Sequence, residues 1–189
     1  MILEAIVTTL NSDGSLNIAP MGPVVEADLG SFDLKPFDTS TTCANLLRNG
    51  CGVMHVSDDV LLFAKAATNQ LDVSSVETVP AEVIDGAVIA NACRWYEFQT
   101  RFVDESSSRV TFKCETVKSG RRRDFWGFNR GKHAVIEAAI LATRVSFLPS
   151  TEIFQQYERL ETIVKKTGGP AEQEAFHLLK AFVETSSNV

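Results

Sequence analysis

Apolar and polar positions change rhythm about two thirds of the way along the chain. Ile2–Leu10 alternates loosely, as a strand with one face on a core does, and runs into Asn11-Ser12-Asp13-Gly14. Asp-Gly supplies the residue that tolerates positive φ in a tight turn. Leu16–Met21 then resumes, so residues 2–21 are predicted to form a β-hairpin. Pro20 cannot donate to a ladder and belongs at a strand end or bulge. Residues 39–49 (TSTTCANLLRN) predict a short helix: hydroxyls offer the N-cap, Ala44, Leu46 and Leu47 favour the helix, and Gly50 stops it. Cys51–Val56, the Asp58-Asp59 pair and the apolar run Val60–Ala67 follow. Further strand candidates are Val83–Cys93, Arg94–Val103 and Arg109–Val117, the last two joined by the polar turn Asp104–Ser108. Short strands separated by turn signals point to a barrel or sandwich.

The last third is helical in pattern. Residues 133–146 are apolar nearly all round, as a buried helix is. Ser150 or Thr151 can cap a second helix whose Ile153, Tyr157, Leu160 and Val164 draw one apolar stripe. Gly168-Gly169 ends it, and Pro170 suits the first turn of a third helix carrying Phe176, Leu179, Phe182 and Val183. The tail Thr185–Val189 is expected to fray. The fold class is therefore mainly β with appended helices (α+β).

Composition narrows the picture. The 189 residues, 44% of them apolar, suffice for one compact domain, or for one domain plus a helical appendage. No apolar run reaches the roughly 18–20 residues of a membrane span. Residues 1–10 look like an export signal only superficially, for they lack a basic start and a small-residue cleavage site. A cytoplasmic protein with no membrane partner is expected. Cys43, Cys51, Cys93 and Cys114 form no CxxC pair, and His55, His133 and His177 do not cluster with them. Buried reduced thiols are expected, with no metal site. The net charge of −6 argues against nucleic acid as a general partner.

Four segments could carry chemistry. Val7-Thr8-Thr9 with Asn17-Ile18-Ala19-Pro20-Met21-Gly22 on the facing strand offers small residues and a proline, which let backbone approach a flat ring; the same residues also make an ordinary hairpin with a bent edge. Thr39-Ser40-Thr41-Thr42 opens the short helix, where free amides and hydroxyls hold a phosphate or merely cap. No glycine-rich cradle accompanies it. Asn129, Arg130 and Lys132, framed by Gly127 and Gly131 beside Phe125, Trp126 and Phe128, could grip an anion or line a solvated loop. Lys118 with Arg121-Arg122-Arg123 reads as a solvated face or as a steering patch for an anionic ligand. Asp58-Asp59 reads as a turn, since adjacent side chains on a strand point apart.

In this order the patterns resemble the FMN-binding split-barrel superfamily of flavin reductases and pyridoxamine-phosphate oxidase-like proteins, and within it the DUF447 family. The resemblance rests on EAIVTTLNSDGSLNIAPMG at 4–22, FDTSTTCANLL at 37–47, DDVLLFA at 58–64 and GFNRGKHAVIEAAILATR at 127–144. It implies a split β-barrel over residues 1–132, a helical segment over 133–189 packed on it, an FMN cofactor and a homodimer with flavin in the cleft between subunits. Flavin-reductase relatives use a Lys-Asp-Thr-x-x-Asn segment at the cofactor phosphate. Thr42 and Asn45 match its Thr and Asn, whereas Ser40-Thr41 replaces Lys-Asp, so Arg48, Arg130 or Lys132 would have to supply the lost charge.

The resulting expectation is an FMN-dependent oxidoreductase of unspecified substrate. Thr8, Thr9, Ala19, Pro20, Met21 and Gly22, with Asn17 beside them, would line the ring. Ser40, Thr41, Thr42 and Asn45 would hold the ribityl-phosphate, and Asn129, Arg130 and Lys132 would close the site. A reduced nicotinamide nucleotide, NAD(P)H, is a candidate electron source, although no GxGxxG follows a strand to bind it in Rossmann fashion. A non-catalytic flavin carrier or relay is the alternative. A β-barrel that binds nucleic acid or protein through Arg121–Arg123 is the second.

Overall fold

The computed structural model describes residues 1–186, so of the tail expected to fray, 187–189 lie outside the described residues, while Thr185 and Ser186 still belong to the last helix. The chain divides into two compact units: Met1–Ser57 with Asp72–Phe125, and Asp58–Leu71 with the described residues from Trp126 on.

The first unit is a curled antiparallel sheet in the order β2-β1-β5-β8-β9-β4-β3. Its strands are β1 (Ala5–Leu10), β2 (Leu16–Met21), β3 (Val24–Val25), β4 (Ser31–Leu34), β5 (Cys51–Val56), β8 (Arg94–Asp104) and β9 (Thr111–Arg121). The N-terminal segment closes the curl onto β3: Ile2 bridges Val24, Leu3 N–H donates to Pro23 O and Val25 N–H to Met1 O. The expected 2–21 hairpin is present, turning at Gly14 with φ 82°. β2 lies at the sheet's edge, where Pro20's missing N–H costs no ladder bond. Inside the curl Phe32, Phe98 and Phe112 are buried, the first two edge to face at 5.2 Å, beside Cys43 and Leu46 of α1 (Thr41–Asn49). Each such fully buried ring contributes about 2–3 kcal/mol.

Over the outer face of β5 and β8 lies a small hairpin, β6 (Thr78–Pro80) with β7 (Ala87–Ile89). Only three residues of the Val83–Cys93 candidate are strand. Residues 81–86 instead loop around a wholly buried carboxylate: Glu97 accepts the amides of Glu82 (2.7 Å), Val83 (2.8 Å) and Ile84 (3.1 Å). His55, equally buried, joins sheet and hairpin, Nδ1 donating to Ile6 O (3.1 Å) and Nε2 accepting Ile89 N–H (3.0 Å). This pairing requires neutral imidazole, and burial pushes its pKa down to about 4.

The second unit is all helical: α2 (Val60–Ala67), α3 (Arg130–Ala142), α4 (Ser150–Thr167) and α5 (Pro170–Ser186). The apolar run at 60–67 is thus a helix, capped by Asp59, whose carboxylate accepts Leu62 N–H. Its Val60 and Ala64 join the helical core. On the predicted α4 stripe, Ile153, Tyr157 and Val164 are buried, and Tyr157 donates to Ala138 O at 2.7 Å. Pro149, with no side-chain bond, occupies the cap position expected of Ser150 or Thr151. All four cysteines are free thiols, and burial raises Cys114 to about 12. Among the described residues, no helix is long and apolar enough to cross a membrane.

Candidate functional site

The register of the β1–β2 hairpin decides what each predicted residue can face. Thr9 lies opposite Asn17, Thr8 opposite Ile18, Val7 opposite Ala19 and Ala5 opposite Met21. Because side chains alternate, Asn17, Ala19 and Met21 share the face of Thr9, whereas Thr8 and Pro20 point the other way. The Thr8 hydroxyl donates to Ala87 O at 2.7 Å and ties the hairpin to β7. The two threonines expected to line one ring therefore serve opposite faces, each 1% exposed. Ala19, Pro20 and Met21 are half-buried, and Gly22 is exposed.

On the Thr9 face, α1 is fastened to the hairpin by uncharged side chains and one guanidinium. Asn17 Nδ2 donates to Thr9 Oγ1 and to Thr42 Oγ1, both at 3.1 Å. Asn45 Nδ2 donates to Thr9 Oγ1 (3.0 Å) and Asn11 Oδ1 (2.9 Å), while its Oδ1 accepts Arg48 Nη2 at 2.6 Å. Arg48 Nη2 and Asn49 Nδ2 both reach Leu10 O, at 2.7 and 2.9 Å. Thr42 and Asn45, the two residues that match the phosphate segment of flavin reductases, are 3% and 2% exposed and lie inside this network.

The donors left open lie at the start of the helix. Ser40 caps α1, accepting Cys43 N–H and donating to Phe37 O. The amides of Thr41 and Thr42, in the first turn, have no intrahelical acceptor. Beside them is a groove of about 460 Å³ lined by Asn11, Ser12, Asp13, Thr39, Ser40, Thr41, Ala44, Asn45 and Arg48, with Asp38 also on its wall. Asp13 is turned to its own hairpin, its carboxylate taking Ser15 Oγ (2.6 Å) and Ser15 N–H (2.9 Å), which hold its pKa below the usual range. Hydroxyls, amides and one guanidinium form a donor set that suits a phosphate, and the volume is that of a small-molecule site. Asn11 had no signal in the sequence beyond its place in the hairpin turn, because its partner Asn45 is 34 residues away.

The third predicted segment is used within the helical unit. Asn129 caps α3, accepting Lys132 N–H and donating to Thr167 O at 2.9 Å. Lys132 Nζ donates to Asp58 O (2.6 Å) and pairs with Glu172 at 3.1 Å. The side chains of Asn129 and Lys132 are thus committed, and of the three only Arg130 is exposed. It lines a mostly apolar groove of about 330 Å³ with Phe128, His133, Glu137, Leu160 and Ile163. The triple arginine is likewise engaged locally: Arg121 pairs with Asp124, Arg122 donates to Ala90 O and Arg123 to Asn91 O.

Residues 3–123 match the model for the N-terminal domain of a protein of unknown function, DUF447, and residues 129–181 match the DUF447 model that follows it. The chain belongs to the DUF447 family. An FMN-bound DUF447 protein of Methanosarcina mazei superposes with a TM-score of 0.82 at 25% identity, over 96% of this chain and 94% of that one. The 2-nitrobenzoate 2-nitroreductase of Pseudomonas fluorescens matches at 0.54 and 20% identity, over 62% of this chain and 64% of its own. An NADH:FAD oxidoreductase of Streptomyces globisporus, in complex with NAD and FAD fragments, matches at 0.52 and 15% identity, over 64% and 76%. The latter two share the fold alone. The DUF447 chain described here is a split β-barrel with appended helices.

Proposed function

We propose that this DUF447 chain binds FMN and works as an FMN-dependent oxidoreductase of the flavin-reductase type. The observation that carries the reading is the likeness to the FMN-bound M. mazei protein over 96% of the chain. The groove at the start of α1 supports it. The hydroxyls of Thr39 and Thr41, the amides of the first turn and Arg48 offer donors for the phosphate, Ser40 being spent on Phe37 O. The half-buried Ala19–Met21 stretch with exposed Gly22, outside the groove's lining, offers backbone to a planar ring. Bound FMN would supply hydride and electron chemistry, while the protein supplies placement and electrostatics. A nicotinamide nucleotide as electron source is supported by the NAD in the S. globisporus complex, a likeness of fold. The groove is open to solvent, and a second copy of the chain is what would cover a bound ring, so the reading includes a homodimer, working in the cytoplasm.

One observation favours the carrier reading: among the described residues no histidine or cysteine lines the groove, and of its two carboxylates Asp13 is turned to Ser15, which leaves Asp38 to move a proton there. Three measurements separate the readings. The purified protein should absorb in the flavin region or, if colourless, quench FMN fluorescence on titration. Anaerobic mixing of the FMN-loaded protein with NADH or NADPH should bleach the flavin. Light scattering should return twice the chain mass. Bound FMN that neither nucleotide reduces would leave a carrier, and no FMN binding would end both readings.

A further inference from the structure

We propose that Asn17 is a positioning residue that fixes the first turn of α1 against the ring-facing strand β2 and thereby makes the site selective for a phosphorylated flavin; this rests on the FMN reading above. A flavin nucleotide has two ends to be satisfied at once, a planar ring and a phosphate. Here the backbone suited to the ring is on β2 and the donors suited to the phosphate are on the opening of α1, more than twenty residues further along the chain. Apolar packing of Cys43 and Leu46 holds α1 on the sheet, and side-chain hydrogen bonding ties its polar side to the hairpin.

Asn17 sits at that joint. One carboxamide nitrogen bonds Thr9 on β1 and Thr42 in the first turn of α1. The other end of α1 is held separately, since Arg48 and Asn49 both donate to Leu10 O. Its middle is held by Asn45, which bonds Thr9 and Asn11. Among the described residues, the polar tie from the hairpin to the first turn is Asn17 to Thr42. Cutting it leaves Thr9 still partnered by Asn45 and the helix still anchored behind Asn45, so the disturbance falls on the turn that carries Ser40 and Thr41. Thr42 is 3% exposed and outside the lining of the groove, so it serves the phosphate through the helix and not by touching it. A positioning defect of this kind should register on a flavin that has a phosphate and spare one that lacks it.

The experiment is a double-mutant cycle read by fluorescence titration with FMN and with riboflavin, alongside thermal unfolding. Asn17→Ala and Thr42→Val both remove the Asn17–Thr42 bond, Asn17→Ala with the bond to Thr9 as well, and should each weaken FMN by about fivefold to tenfold, on the order of one hydrogen bond, because Thr9 keeps Asn45. The double variant should be no weaker than Asn17→Ala, because the Asn17–Thr42 interaction is already absent there. Thr42→Ser keeps the acceptor and should restore wild-type affinity. Riboflavin should shift by less than about twofold in all four. Equal weakening of both flavins, additive losses, or an Asn17→Ala protein that binds FMN as the wild type does would each overturn the assignment. Should riboflavin bind too weakly to titrate, the FMN cycle alone decides. A wild-type protein that binds neither flavin would overturn the FMN reading itself, a result distinct from a flat Asn17→Ala titration in a protein that binds FMN.

Discussion

Like α2 at Asp59, two further helices start on a polar cap that satisfies the amide three residues on: Ser40 for Cys43 at α1, and Asn129 for Lys132 at α3. Each is followed closely by residues with the chemistry to hold an anion. In the barrel unit the network behind α1 consumes Thr9, Asn17, Thr42 and Asn45, and Ser40 is spent on Phe37 O, yet Thr39 and Thr41 are left facing a groove. In the helical unit the counterparts are spent: Lys132 neutralises Glu172 and caps Asp58 O, and Asn129 reaches across to Thr167 O. A capped helix start with polar side chains is thus an anion site only where its charges and donors have no better internal partner. At α3 Glu172 is that partner.

The largest expected effect breaks the α3 side of this contrast. A Cβ on Gly131 would stand 2.7 Å from Gly168 Cα and 2.8 Å from Gly168 N, backbone that cannot swing aside. The start of α3 and the turn between α4 and α5 meet so closely because both residues lack side chains. Gly131→Ala should cost about 2–3 kcal/mol as an overpacked contact, seen as a lower midpoint in urea unfolding. An unchanged midpoint would mean that the α3 start is not packed on that turn.

Acid should separate the two units by pH window. His55 is neutral when folded, with its pKa pushed to about 4 from an unfolded 6.5. Its contribution is complete above pH 6.5 and is lost as pH falls towards 4, to a total of about 3 kcal/mol. Glu172 differs. Burial pushes its carboxyl up, but the Gly169 amide and Lys132 outweigh that and hold it below 4.5. Its contribution is present above pH 4.5 and disappears only below that. Stability measured from pH 7 to 3 should therefore fall first through the barrel, sensed by Trp95 packed beneath β7, and later through the helices. Lys132→Met should cost about 2 kcal/mol of helical stability by leaving Glu172 with one partner fewer, without the tenfold loss in FMN affinity expected of a phosphate ligand. A large loss of affinity with intact stability would return Lys132 to the binding site.

What could be read from the chain follows the range of each interaction. The 2–21 hairpin and the limits of α1 were legible because Asp13-Gly14, Ser40 and Gly50 act within a few residues. The run 60–67, which reads among the strands of a first two thirds with one helix, is a second helix there, because a short apolar stretch has no period; Asp59 as a cap is the local clue. Residues 81–86 could not be read as a loop, because the carboxylate that organises them, Glu97, lies thirteen or more positions on. At the site, alternation alone separates Thr8 from Thr9. The burial of Thr42 does not follow from any local pattern, since it depends on Asn17, 25 residues earlier.

The smallest expected effect tests which cation replaces the one missing from the α1 segment. Lys132 is committed to Glu172, and Arg48 is the basic residue lining the α1 groove. Arg48 is already bonded through Nη2 to Leu10 O and Asn45 Oδ1 and through Nε to Asn49 Oδ1, which fixes the guanidinium on the wall of the groove. Being exposed, its charge is screened, and it should be worth less than a buried pair. Arg48→Gln should weaken FMN by about threefold at low salt, with the difference shrinking as salt is raised, and should lower the unfolding midpoint only slightly, because Asn49 still holds Leu10 O. A salt-independent loss of the same size would mean that Arg48 acts by bracing Asn45 and not through its charge. The phosphate would then be held by the uncharged donors at the start of α1 alone.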